Sequence, residues 1–197
     1  QILGPELAFK GAVPPPKAPI EGKTVRLEPI EPARHVVDLY EVSKGDDTLW
    51  NYLGYGPFAD QAAMKAWLDG CAASTDPLFF AIVDKVTAKT VGMLSFMRID
   101  AKGGAIEIGH IWFAPVLKQT RQATEAIFLT MRETFDSWGY RRLEWKCNSR
   151  NMPSRAAAIR FGFTYEGLFR QHLIVRGRNR DTCWFSLLDG EWPEVKA

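Results

Sequence analysis

The sequence predicts an α/β domain of the α+β kind: one mixed sheet with helices on its flanks. Three observations predict it. Strand-like runs at Leu78 to Val83, Val91 to Ile99 and Ala105 to Phe113 follow one another across short turns, as in an antiparallel meander. A long helical stripe from about Thr120 to Trp138 then separates the meander from a strand at Arg142 to Cys147, so a parallel pairing by crossover becomes available. A short helix, Asn151 to Phe161, and two strands, about Thr164 to Val175 and Thr182 to Leu188, close the chain.

The elements before the meander have their own signals. Residues 1 to 22 contain Pro5, Pro14, Pro15, Pro16 and Pro19, whose fixed φ favours an extended arm, and residues 23 to 197 are expected to form a single domain. Val25, Leu27 and Pro29 alternate with Arg26 and Glu28, which reads as a strand ending at proline. Pro32 suits a first helical turn, and Val36, Val37, Leu39 and Tyr40 follow at helical spacing. Asp60 is placed to cap a second helix with Ala63, Met64, Trp67, Leu68 and Cys71 on one face. In the long helix, Ala123, Ile127, Thr130, Met131, Thr134, Phe135 and Trp138 recur every three or four residues, and Gly139 is a left-handed C-cap candidate. The order is β-α-α-β-β-β-α-β-α-β-β.

Composition narrows the function classes. Of 197 residues 46% are apolar, enough for a sizeable core, and 25 basic against 23 acidic residues leave a net charge of +2. A chain that lives on a nucleic-acid backbone would carry a larger basic excess, so no nucleic-acid partner is expected and any anion site should be local. Cys71, Cys147 and Cys183 are odd in number and lack metal-ligand spacing, which points to a reducing compartment, no disulfide framework and no metal. No apolar run is long enough to cross a bilayer, and the expectation is a soluble, cytoplasmic protein with no membrane partner.

Several segments carry chemistry. "LKQTRQATEA", residues 117 to 126, lies between a strand and a helix, where unpaired N–H groups and the helix dipole attract anions. Arg121 in a first turn is unfavourable by roughly 0.3–1 kcal/mol, and a bound anion would relieve it; the alternative is an ordinary capped helix with Lys118 and Arg121 in water. The loop from Trp50 to Phe58 interleaves aromatics with glycines and a proline. Trp50, Tyr52 and Tyr55 there form either a substrate-facing wall or a lid tucked onto the core. Glu107 shares a predicted strand face with Ala105, Gly109, Ile111 and Phe113, where it could relay a proton, attract a cationic acceptor, or pair with an arginine. His110 falls on the opposite predicted face and reads as a packed or hydrogen-bonded histidine.

The pieces "EIGHIWFAP" (107 to 115), "ATEAI" (123 to 127), "NMPS" (151 to 154), "FGFTYEGLFR" (161 to 170) and "DTCWFSLLDGEW" (181 to 192), opened by "VRLEPI" (25 to 30), resemble the GCN5-related N-acetyltransferase (GNAT) superfamily and within it the RimJ/RimL type. The resemblance spans nearly everything after the proline-rich arm. It implies a mostly antiparallel sheet splayed between its fourth and fifth strands, with acetyl-CoA as co-substrate and no metal. Backbone groups of Trp112 and Phe113 would bind the pantetheine by β-augmentation. The pyrophosphate would rest on the segment Lys118, Gln119, Thr120, Arg121, Gln122 and Ala123, with Thr124 and Asn151 completing the cofactor contacts.

The chain departs from the family in two places. The usual Gln/Arg-x-x-Gly-x-Gly/Ala loop keeps only its last small residue, Ala123, and Arg121 stands where glycine is customary. A backbone helical from the start would keep the donors without glycine. The tyrosine that in relatives protonates the departing thiolate falls on Ala158. Ser154 is then the alternative donor, with Asn151 orienting substrate or water. Cys147 without a neighbouring base is a weak nucleophile candidate.

The resemblance thus implies an N-acetyltransferase acting on a primary amine, either a small molecule or a peptide N-terminus, by direct attack. A non-catalytic CoA-binding regulatory domain is the alternative, and an RNA-associated module near ribosomes is a third reading. A homodimer is compatible with all three.

Overall fold

The computed structural model describes residues 3–197. In chain order the elements are β1 Ile20–Glu21, β2 Val25–Pro29, α1 Pro32–Ser43, a 3-10 turn Asp47–Trp50, α2 Gln61–Ala73, β3 Leu78–Asp84, β4 Thr90–Asp100 and β5 Ala105–Phe113. Then come α3 Arg121–Arg132, a π turn Glu133–Ser137, β6 Arg142–Asn148, α4 Met152–Arg160, β7 Thr164–Val175, β8 Arg178–Leu188 and α5 Trp192–Lys196. The short β1 shifts the count by one, so the predicted fourth and fifth strands are β5 and β6.

The strands form one sheet in the order β1-β2-β3-β4-β5-β6-β8-β7. Every neighbouring pair is antiparallel except β5 with β6, which α3 joins by crossover. The mixed sheet predicted from the sequence is the one observed.

Helices cover both faces. On one, α3 and α4 lay Ala126, Ile127, Met131 and Ala158 over Phe80, Leu94, Phe96, Ile106, Ile108, Trp145 and Phe185. On the other, α1 and α2 lay Val36, Leu39, Met64 and Leu68 over Phe79, Ala81, Met93 and Trp112. Of the apolar stripe expected on α1, Val37 is instead 52% exposed. Asp60 caps α2 as expected, its Oδ1 accepting from the Ala63 N–H at 2.7 Å. Gly139 follows the π turn with φ +70°, the left-handed conformation glycine adopts at least cost.

From Leu3 on, the proline-rich arm runs without regular structure until β1 but is tied to the body: the Ala12 and Val13 N–H groups donate to the Ala101 and Trp138 carbonyls, both at 2.8 Å, while the first two residues of the expected arm lie outside the described residues. Glu125 performs a similar task for β2, its carboxylate accepting from the Lys23, Thr24 and Val25 N–H groups and so fixing α3 against the sheet.

The feature that positions the site is a break in the parallel pair. Its register runs from Ala105↔Arg142 to Ile108↔Trp145 and stops, although β5 continues to Phe113 and β6 to Asn148. On the other side of β5, Ser95 pairs with Gly109 but Met93 with Trp112, so β5 holds one residue more than β4 across this step. His110, with φ +51°, lies in that bulge. A bulge bends its strand and raises the local twist, which turns the end of β5 away from β6.

Candidate active site

A cavity of about 360 Å³ opens where β5 and β6 part, with Glu107, His110, Lys146, Asn151, Ser154 and Arg180 among its lining residues. Glu107 is only 3% exposed. Arg98 Nη1 and Lys146 Nζ each donate to its Oε2 at 2.7 Å. Lys146 also reaches Glu144 Oε2 at 2.6 Å and stands 3.8 Å from the Trp184 ring centroid. Both contacts to Glu107 fall on Oε2, and Oε1 has no hydrogen-bond partner among the described residues. Of the sequence readings for Glu107, the pairing with an arginine is realised, and a lysine joins it. The carboxylate is therefore not a free negative charge waiting for a cationic acceptor.

The bulge also corrects the predicted strand faces. Strict alternation set His110 opposite Glu107 and grouped Glu107 with Ile111 and Phe113. The extra residue reverses the phase, so His110 and Trp112 share the α1/α2 side with Glu107, while Ile111 and Phe113 pack on the α3 side. His110 is a packed histidine as expected: it stacks on Tyr55, tilts against Phe79, and its Nδ1 lies 3.4 Å from Tyr55 Oη. Burial pushes its pKa down to about 4, so the ring is neutral near pH 7.

Of the three loop aromatics expected to face substrate, one lines the cavity. Trp50 is 1% exposed and packs on Trp112, Phe58 and Tyr55, because its large ring completes the core beneath α2. Tyr55 stacks on Trp67 at 4.2 Å, and its burial raises the phenol pKa. Tyr52 faces the cavity and donates from Oη to the Arg150 carbonyl at 3.0 Å. Arg176, in the β7–β8 turn, fastens this loop by donating to the Tyr55 and Gly56 carbonyls.

The β5 edge exposed by the parting offers an unfilled ladder. Trp112 is in register with Met93, and the Ala114 N–H donates to the Val91 carbonyl at 2.8 Å, so alternate backbone groups at 112 and 114 face β4. Those of Ile111 and Phe113 face the gap. The edge open to the expected augmentation is therefore that of Phe113 and the unforeseen Ile111; the Trp112 backbone is already paired and its indole is buried.

At the start of α3, Thr120 is the N-cap, accepting at Oγ1 from the Ala123 N–H at 3.1 Å. The N–H groups of Lys118, Thr120 and Thr124 go to the carbonyls of Ala114, Leu117 and Thr120. Of the segment expected to cradle phosphate, Gln119, Arg121 and Gln122 therefore keep free backbone donors, whereas Lys118, Thr120, Ala123 and Thr124 spend theirs locally. The left-handed residue is Gln119, with φ +62°, while Arg121 opens α3 as an ordinary helical residue. Glycine at 121 is not needed for backbone conformation. The Lys118 ammonium lies 3.3 Å from Asp46 Oδ2, while Arg121 has no ion pair among the described residues. Arg160 reaches the same end of α3 through Thr124 Oγ1 at 3.3 Å.

At the start of α4, Asn151 is the N-cap, its Oδ1 accepting from the Ser154 N–H at 3.2 Å. Ser154 Oγ accepts from the Trp145 indole N–H at 3.0 Å and lines the cavity. Ala158, the position where the family resemblance implies a tyrosine, is fully buried. Cys147 is buried, and desolvation raises its thiol pKa, which disfavours a thiolate nucleophile.

Arg98, Lys146, Ile111 and Arg180 were not singled out in the sequence. Lys146 alone left a trace, as the one charge between the buried Trp145 and Cys147. Among the described residues no group of three His, Cys, Asp or Glu side chains could hold a metal, and no helix is long and apolar enough to cross a membrane.

This mixed sheet, parted between one parallel pair with a helix N-terminus beside the gap, is similar in fold to solved acetyltransferase structures. A GCN5-related N-acetyltransferase from Brucella melitensis superposes with a TM-score of 0.94 at 46% identity, over 96% of this chain and 86% of that one. A GNAT-family protein from Chromobacterium violaceum ATCC 12472 gives 0.91 at 44% identity, over 98% of each chain. An N-acetyltransferase named p20 from Bacillus licheniformis is 28% identical over 155 residues, 75% of this chain and 84% of that protein. The family model for the acetyltransferase (GNAT) domain matches residues 24–164, and the chain belongs to that family.

Proposed function

We propose that the chain is an acetyl-CoA-dependent N-acetyltransferase that acts on a primary amine by direct attack in the cleft between β5 and β6. One observation carries this reading: the unpaired backbone edge of Ile111 and Phe113 continues toward the free N–H groups of Gln119, Arg121 and Gln122. An extended amide chain ending in a pyrophosphate matches that sequence of donors and acceptors. The α3 terminus would hold the phosphates, with Arg121 and Arg160 adding charge. Acetyl-CoA would supply a thioester carbonyl.

The chain's own residues account for the rest. The net change forms a C–N bond and breaks a C–S bond; the amine loses a proton and the leaving thiolate gains one. Glu107 Oε1, the oxygen outside the two ion pairs, is the acceptor for the amine proton, directly or through water. Ser154 Oγ, held by the Trp145 indole, is the donor to the thiolate, and Asn151 holds Ser154 by capping its N–H. The raised Cys147 pKa favours a path without an acyl-enzyme. Three free buried cysteines suit a cytoplasmic setting, and the motif likeness supports a RimJ/RimL-type reading.

The fully buried Ala158 favours one other reading, a CoA-binding regulatory domain without turnover. A CoA-thiol release assay against a panel of amines, small molecules and peptide N-termini included, separates them. Amine-dependent release supports the enzyme. Acetyl-CoA binding without release on any amine supports the regulatory domain.

A further inference from the structure

A second cavity, of about 600 Å³, lies beside the first between the Tyr52 loop, the start of α4 and the β7–β8 turn, and Tyr52, Asn148 and Arg180 line both. Arg150, Arg176, Arg178 and Arg180 line it against one carboxylate, Asp181. That carboxylate is engaged elsewhere, its Oδ1 accepting from the Gln171 N–H at 2.7 Å and from Asn179 Nδ2 at 2.9 Å. With a chain charge of only +2, this clustering of arginines is local.

Arg180 sits at the junction. It is half-buried, and its only side-chain bond among the described residues runs from Nε to Thr182 Oγ1 at 3.2 Å. Among the described residues, both terminal nitrogens lack partners and no ion pair neutralises the group. The inner cavity's other cations, Arg98 and Lys146, are treated differently and share Glu107. A guanidinium withdrawn from water without a counter-charge is costly, and a planar anion supplied from solution satisfies both the charge and the fork of donors.

We propose that the acceptor is an amine that also carries an anionic group, carboxylate or phosphate, and that Arg180 binds that group at the junction of the two cavities. The inference rests on the acetyltransferase reading for the amine end. The amine is directed toward Glu107 and Ser154 in the inner cavity, and the anion toward Arg180, with Arg150 and Arg178 drawing it in from the outer one. The arrangement discriminates against polyamines, which would bring a second cation to an arginine-lined wall.

The test uses matched acceptor pairs: ω-amino acids of two to six carbons against their amides, and phosphoethanolamine against ethanolamine. Acetyl transfer is followed by thiol release, and binding of the same compounds in the presence of CoA by calorimetric titration. In at least one pair the anionic member is expected to be favoured by about tenfold, through KM. Arg180→Gln collapses that ratio toward one, and Arg180→Lys restores part of it. The double variant Arg150→Gln, Arg178→Gln, at more exposed positions, lowers the ratio as well, which keeps the test open if Arg180→Gln fails to fold. Which pair shows the preference identifies carboxylate or phosphate. A ratio at or below one in every pair, or one that survives Arg180→Gln, overturns the proposal. No thiol release with any amine overturns the acetyltransferase reading instead, and the titrations then still decide the anion site.

Discussion

Lys146, one residue beyond the last paired position of β5 and β6 at Ile108 and Trp145, places its Nζ 2.7 Å from Oε2 of Glu107, one residue before that position. The ion pair bridges the sheet where its backbone ladder stops. Its members are 6% and 4% exposed at the side chain, and each has one further partner, Glu144 for Lys146 and Arg98 for Glu107.

Glu107→Gln removes that charge and leaves Lys146 with Glu144 alone. The expected loss of stability is about 1–3 kcal/mol, read from urea denaturation. If Oε1 takes the amine proton, kcat also falls at least about tenfold and the acidic limb of the pH–rate profile moves. A stability loss with an unmoved profile assigns Glu107 a structural part only.

Ser154→Ala leaves the Trp145 indole N–H without its acceptor, at a cost of about 1–2 kcal/mol. As proton donor, Ser154 predicts a fall in kcat of about tenfold or more with little change in acetyl-CoA affinity. Equal kcat in the folded variant removes it from the reaction.

Arg121→Ala should weaken acetyl-CoA binding about three- to tenfold, the size of one solvent-accessible charge-assisted contact, and less at high salt. Unchanged affinity in a calorimetric titration would mean that Arg121 only occupies the glycine position. Gln119→Gly tests the backbone directly: relieving a left-handed glutamine should stabilise the protein by up to about 1 kcal/mol in thermal unfolding.

His110 fixes one pH dependence. Its folded pKa, about 4, lies below the ordinary histidine value near 6.5, so the folded state resists protonation that the unfolded chain accepts. Stability should fall as pH drops from about 6.5 to about 4, by roughly 2–3 kcal/mol, and level off below for this group. His110→Phe should reduce the fall over that interval in chemical denaturation curves, the remainder including His35, whose burial also lowers its pKa.

Much of the fold could be read from residue patterns because local rules set it. Asp60 and Asn151 cap helices, Gly139 ends one, and strand-like runs between short turns located the strands of the meander. The site was less legible because it depends on a register step. No residue type announces the bulge at His110, and that single insertion moved Trp112, Ile111 and Phe113 to other roles than alternation assigned them. Trp50 and Tyr55 looked like a substrate wall because loop aromatics serve cores and ligands equally well; only burial separates them. Arg98, Lys146 and Arg180 come from three different strands and meet only when β4, β6 and β8 fold around β5.

The most direct measurement is CoA-thiol release from acetyl-CoA with purified protein and an amine panel, paired with mass detection of the acetylated product. The account predicts release that requires both protein and amine, yields one acetylated amine per thiol, and leaves no acetyl group on Cys147. Acetyl-CoA binding with no amine-dependent release, or a stable acetyl adduct on Cys147 that precedes product, would contradict it.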